Sequence, residues 1–200
     1  MGRTLLITGF DPFGGASINP AWEAVKLLPD KIGDFTLYKL EIPTVFGRAA
    51  ELVLETAERI HPDVILCIGQ AGGRSAVTPE RIAVNIRDAR IPDNAGNQPA
   101  GEFVNEQGPA AYFSTVPVRK MAEAITAKGL PGTVSNSAGA FVCNDVLYTL
   151  LHHYRGTSVK VGFIHVPYLP EQGTPSLPLA QTSAALAAAI EICQNFSKSS

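Results

Sequence analysis

Apolar positions along this chain fall into two alternating patterns. Residues 5–8, Phe35–Ile42, 63–68 and 159–166 are short runs rich in Leu, Ile, Val and Phe. They have strand length, and the last two are nearly continuous in apolar character, as expected for strands buried on both faces. Residues 81–86 differ. Ile82, Val84 and Ile86 alternate with polar or small partners, which predicts a half-buried strand. A short strand is also expected near 133–135. Between these runs the period changes to that of a helix. Asn19 and Pro20 give a cap and a first-turn proline for a helix over 20–28. Ala50, Val53, Leu54 and Ala57 share one face of a helix over Arg48–Ile60, and Val118, Met121, Ala122 and Ile125 do the same over 117–127. Val142, Val146, Leu147, Leu150, Leu151 and Tyr154 mark a further buried face, with Gly156 as its stop signal. An alanine-rich helix over 177–192, with Pro178 in its first turn, follows the last strand. The alternation predicts an α/β fold with a largely parallel sheet covered on both faces.

Length and composition narrow the picture. Two hundred residues at 46% hydrophobic and 17% charged suit one globular domain over residues 1–200. A formal net charge of −2 and the lack of any basic run give no footprint for nucleic acid or an anionic membrane. The first ten residues read as a strand entering a turn rather than a targeting segment. The three cysteines, at 67, 143 and 193, are odd in number and show no CxxC spacing. Neither a disulfide framework nor a zinc site is expected, and a reducing, cytoplasmic setting fits.

The candidate chemistry begins at Cys143. It ends the small-residue stretch Ser137-Ala-Gly-Ala-Phe-Val-Cys-Asn144, where a loop runs into a helix. A thiol in a first helical turn feels the partial positive charge of the helix start, which can lower its pKa from about 8.5 to roughly 3.5–7.5. The plainer reading is a small buried hydrophobe. Cys67 lies within an apolar strand and reads as core; Cys193, near the end of the last helix, reads as core or interface. A cysteine nucleophile needs a base, and the base an orienting group. His61 sits at a helix end before Pro62, and His152 and His153 are neighbours on one helix; all three have structural explanations. His165 ends an apolar strand, the place where functional groups collect in open α/β sheets; its plainer reading is a structural histidine bonded to a backbone carbonyl. Glu80 follows Thr78-Pro79 in a partly buried setting, so its carboxylate needs a partner: Arg81 or Arg87 in a structural reading, a histidine in a functional one. The glycine-rich loop at 9–15 has neither a GxGxxG nor a GK[ST] motif. It carries Phe10 and Phe13, which form either a slot for a small, flat, uncharged group or a plug for the core. Residues 88–108 form a long loop rich in Pro, Gly, Asn and Asp.

Taken together, these segments resemble the pyroglutamyl peptidase I family of cysteine peptidases. The resemblance is carried by Glu80 in Pro79-Glu-Arg-Ile-Ala-Val-Asn85, by Cys143 in the stretch quoted above, and by His165 in Phe163-Ile-His-Val-Pro-Tyr168. Thr8-Gly-Phe-Asp-Pro-Phe-Gly14, Gly69-Gln-Ala-Gly72 and Asp88-Ala-Arg-Ile-Pro-Asp-Asn94 add to it. It implies removal of N-terminal pyroglutamate from peptides by a Cys143–His165–Glu80 triad through a thioester, with no metal and no cofactor. It also implies a three-layer α/β/α sandwich with a largely parallel mixed sheet and, in bacterial members, a homotetramer.

Asn19, Gln70 and Arg90 fall in motif regions of the family. In this reading the oxyanion is held by backbone N–H groups at the start of the Cys143 helix and by Arg90. Phe10, Phe13, Phe141 and Val142 wall the ring pocket, and polar groups around Gln70 read the lactam. Phe141 and Val142 are equally placed to be core beside the helix. Three rivals are weaker: a cysteine hydrolase of another small amide; a nucleoside phosphorylase of similar layout, for which no phosphate cradle is present; and a non-catalytic binding protein, for which an intact Glu-Cys-His set would be unexplained.

Overall fold

The computed structural model describes residues 2–194; Met1 and residues 195–200, which the expectation of one domain over 1–200 also covers, lie outside the described residues. Ten strands and five helices alternate along the described chain in the order β1 (Arg3–Phe10), α1 (Pro20–Leu27), β2 (Lys31–Ile32), β3 (Phe35–Ile42), α2 (Arg48–Ile60), β4 (Val64–Gln70), β5 (Thr78–Pro79), β6 (Ile82–Val84), β7 (Arg87–Asp88), β8 (Ala100–Glu102), β9 (Ala111–Phe113), α3 (Val118–Ala127), α4 (Val142–His153), β10 (Lys160–Val166) and α5 (Leu179–Cys193). The main sheet has the order β2-β3-β1-β4-β10-β5. Its four central strands, β3, β1, β4 and β10, run parallel, and the two-residue edges β2 and β5 are antiparallel.

The period-2 pattern of the central strands divides the core in two. Leu5, Ile7, Leu66, Ile68, Ile164 and Val166 face one side, where they meet α1, α3 and α5. Leu6, Phe10, Ile65, Cys67, Val161 and Phe163 face the other, against α2 and α4. This is the expected α/β/α sandwich. Cys67 is fully buried in it, as is nearly all of Cys193.

The structure departs from the sequence reading mainly where strands are short. The run at 81–86 is a strand only over Ile82–Val84, which pairs with β9 outside the main sheet. The stretch near 133–135 makes only isolated bridges, Val77 to Gly132 and Glu80 to Ser135. The long loop at 88–108 carries β8, which pairs with β7. Such pairs are too short for side-chain periodicity to reveal.

Candidate active site

Cys143 lies in the first turn of α4, two residues after the N-cap Phe141. Asn19 caps α1 through its side chain, which accepts from the Ala21 N–H at 3.0 Å. Phe141 makes no such bond. The first-turn N–H groups of α4 have no intrahelical acceptor and no capping side chain. The residues after Cys143 moor the helix start. Asn144 accepts from the Val84 N–H (2.9 Å) and donates to the carbonyls of Val84 (2.8 Å) and Ile86 (3.0 Å). Buried Asp145 accepts from the Gly47 N–H at 2.8 Å and from Arg87 Nε at 2.7 Å. Arg87 is therefore the partner of Asp145, not of Glu80.

His165 comes to the thiol through the register of the sheet. It pairs with Gly69 across β10 and β4. Gly69 lies under the sulfur: a Cβ built on it would stand 2.9 Å from Cys143 Sγ and 2.7 Å from Phe163 Cζ. The Phe163 ring also lies beside the His165 imidazole, with centroids 4.8 Å apart. Glu80 arrives from the opposite edge. β5 runs antiparallel to β10, and the Glu80 N–H donates to the Phe163 carbonyl at 2.8 Å. This places Glu80 Oε1 2.7 Å from His165 Nδ1. Glu80 is fully buried and His165 nearly so.

The sequence reading missed Arg74. Its Nη1 lies 2.6 Å from Glu80 Oε1 and 2.6 Å from Thr78 Oγ1, and its Nη2 donates to the Ser137 carbonyl at 3.1 Å. Arg81 uses its backbone N–H on Ser135 and is not the cation on Glu80. Glu80 Oε2 is buried and has no hydrogen-bond partner among the described residues.

The electrostatics overturn one expectation. Burial, with the Glu80 charge and Cys67 adding to it, pushes the Cys143 thiol up to about 12. The residue as a whole keeps some exposure. Even so, protein packed around the sulfur and a nearby carboxylate outweigh the helix start, and the thiol is held neutral rather than as a ready thiolate. Burial likewise lowers the His165 pKa, against the opposing pull of Glu80. Burial would raise the Glu80 carboxyl, yet His165, Ser135 and Arg74 together hold it below the usual range. The Ser135 hydroxyl is committed to the Ser137 carbonyl at 3.1 Å, so His165 and Arg74 are the direct partners. The resting site is an ionised carboxylate, a neutral imidazole and a neutral thiol.

The expected pocket residues separate into two groups. Phe10 is core, 2% exposed and packed on Phe163. Val142 is core as well. Asn19 is buried and engaged as a cap and as a donor to the Asp11 carbonyl at 2.9 Å. Phe13 and Phe141 are partly exposed, with ring centroids 6.2 Å apart. Phe46, which sequence reasoning did not single out, meets Phe141 edge-on at 5.3 Å. Its backbone N–H donates to Asp93 at 2.9 Å. Gln70, at the end of β4, accepts from Gln172 Nε2 at 3.3 Å, another contact invisible in the sequence. Arg90 is exposed. The Asp88 N–H donates to the Ala140 carbonyl at 2.9 Å, which draws the segment carrying Arg90 to the loop before Cys143. No group of three or more His, Cys, Asp or Glu side chains arranged to hold a metal occurs among the described residues.

The chain is similar to known proteins over nearly its whole length. A family model described as pyroglutamyl peptidase matches residues 3–195. The pyrrolidone-carboxylate peptidase of Staphylococcus saprophyticus is 53% identical over 194 residues, covering 94% of this chain and 91% of its own. That of Levilactobacillus brevis is 55% identical, over 93% and 95%. Among solved structures, pyroglutamyl peptidase I from Bacillus amyloliquefaciens superposes with a TM-score of 0.94 at 44% identity, covering 98% and 97%. The pyrrolidone carboxyl peptidase of Thermococcus litoralis gives 0.92 at 39% identity, over 97% and 94%.

Proposed function

The chain belongs to the pyroglutamyl peptidase family, and from that membership we propose that it removes N-terminal pyroglutamate from peptides with Cys143 as nucleophile, His165 as acid–base and Glu80 as orienter. The observation that carries the reading is the convergence on Gly69: the thiol stands over it, His165 is its register partner, and Glu80 Oε1 is 2.7 Å from the imidazole.

An ionised carboxylate only accepts hydrogen bonds, so Nδ1 carries the proton and Nε2 is the basic nitrogen. Nε2 takes the thiol proton as Sγ attacks the carbonyl joining pyroglutamate to the next residue. The imidazolium, stabilised by Glu80, gives that proton to the leaving amine. Water, deprotonated by His165, then cleaves the thioester and frees pyroglutamate. The uncapped first turn of α4 and Arg90 supply donors to the oxyanion. Phe13, Phe141 and Phe46 wall the ring pocket, and Gln70 with backbone groups reads the lactam. Phe10, Asn19 and Val142 support that pocket from the core.

The chain acts in the cytoplasm, in keeping with its free cysteines. It assembles as a homotetramer; the exposed Phe103 and Phe113 are suited to contacts between copies.

Purified protein should release a fluorophore from a pyroglutamyl amide and leave matched Pro and Glu amides untouched, with discrimination of about 10⁴–10⁵, because a lactam-reading site is left unpaired by either. Cys143→Ser and His165→Ala should each abolish turnover. Comparable rates on the Pro amide, or full activity in either variant, would overturn the reading.

A further inference from the structure

We propose that Arg74 is a positioning residue for this reaction: its guanidinium fixes the Glu80 carboxylate and the loop leading to Cys143 as one unit, so that the acid meets His165 in a single orientation. The proposal rests on the triad reading above.

Three observations support it. First, both direct donors to Glu80 use the same oxygen, His165 Nδ1 at 2.7 Å and Arg74 Nη1 at 2.6 Å, while buried Oε2 has no partner among the described residues. The carboxylate is therefore oriented from one side only. Without Arg74 a single hydrogen bond would hold a buried charge. Second, the guanidinium bridges two separate pieces of chain. Nη1 holds Thr78 and Glu80 on the β5 side, and Nη2 holds the Ser137 carbonyl at the head of the loop that enters α4. Thr78 Oγ1 in turn lies 3.4 Å from the His165 carbonyl. A lysine ammonium keeps the charge but cannot reproduce this planar fork. Third, the charge acts on all three reacting groups. The groups acting on His165 are Glu80 and Arg74; those acting on Cys143 are Glu80, Cys67 and Arg74. Arg74 favours the neutral imidazole, the ionised carboxylate and the thiolate.

Arg74 is partly exposed and lines a cavity of about 540 Å³ with Gly73, Ser75, Thr78, Ser135 and Ser137. A small cation can therefore reach its place from solvent.

The test is the pH profile of pyroglutamyl amide hydrolysis in full-length wild type, Arg74→Met and Arg74→Lys, with folding checked by circular dichroism. Loosening the acid should lower kcat about 10²-fold in Arg74→Met while KM changes little, the cost expected of a displacement near 1 Å. The acid limb of kcat/KM should move to higher pH, because a cation that disfavours the imidazolium is gone. Arg74→Lys should return the acid limb to its wild-type position and recover only part of kcat. Millimolar methylguanidinium should raise the rate of Arg74→Met and leave wild type unchanged. Should Arg74→Met fail to fold, Arg74→Lys decides by itself: wild-type kcat there overturns the proposal. Wild-type kcat and an unmoved acid limb in folded Arg74→Met also overturn it, and with His165→Ala inactive the triad stands. Activity in His165→Ala overturns the triad itself.

Discussion

Replacing Gly69 by alanine adds one methyl group beneath the Cys143 thiol. Gly69 is a strand residue outside the set of positive-φ glycines, so alanine suits its backbone and the perturbation is purely steric. The new Cβ would lie 2.7 Å from Phe163 Cζ and 2.9 Å from Cys143 Sγ. Ordinary contacts of this kind begin near 3.4 Å, so the ring and the sulfur must each retreat by at least half an ångström. Both are confined, Phe163 by a fully buried core and the sulfur by the moored first turn of α4. Overpacking of this sort costs about 1–3 kcal/mol, equivalent to a fall in Tm of about 3–9 °C for a chain of this size. A displacement approaching 1 Å at the reacting atom costs about 10²-fold in rate.

Gly162→Ala is the matched control. It brings a Cβ to 2.3 Å from Val116 Cγ2, in the layer opposite the thiol. It should lower Tm at least as much and leave kcat/KM near wild type. The assay is pyroglutamyl amide turnover alongside thermal melts of both variants. If Gly69→Ala stays within threefold of wild-type kcat/KM, or if Gly162→Ala loses as much activity, the placement of the thiol over Gly69 does not govern the reaction.

With the Cys143 thiol pushed up to about 12 by burial and by Glu80, alkylation by iodoacetamide should be slow at neutral pH and accelerate continuously from about pH 7 to 10; a plateau across that range would mean a preformed thiolate–imidazolium pair instead. Burial also holds His165 and His152 below the ordinary histidine value of 6.5. Where the folded value lies below the unfolded one, the unfolded chain binds more protons, so this contribution to stability is present above about pH 6.5 and is lost on acidification below it; Tm should drop as the pH falls below about 6.5, less steeply in His165→Ala, and a Tm that is flat or rises there would refute the sign.

What the sequence made legible follows from the range over which each signal acts. Strands β1, β3, β4 and β10 and the helices carry their own periodicity, so a local reading finds them. Cys143 and His165 sit at element ends that a local reading also finds: one opens α4, the other lies one residue before the end of β10. Glu80 was legible as a buried carboxylate needing a partner, but the identity of its cation was not. Arg81 and Arg87 are nearer in sequence to the strand core. The cation that reaches Glu80 is Arg74, carried by a turn after Gly72-Gly73 that folds back on β5. Nothing in one-dimensional spacing encodes that return. The lowered thiol pKa failed for a related reason. The helix start is a local signal, whereas the packing and the Glu80 charge that oppose it come from residues far along the chain. Phe10 illustrates a third limit: an aromatic on a strand end reads equally as wall or plug, and its layer in the sheet decides for the plug.

The position of β10 bears on how the molecule is made. Among the described residues it is the last strand to leave the ribosome, yet it is inserted between β4 and β5, which are synthesised some eighty to ninety residues earlier. At about 5–20 residues per second, the gap between those neighbours stands open for several seconds of translation. Until Lys160–Val166 fills it, β4 has no partner on that side, Glu80 has no imidazole and Gly69 has no register mate. A nascent chain therefore carries Cys143 before it carries His165. The Cys143, His165 and Glu80 side chains come together only when β10 completes the sheet.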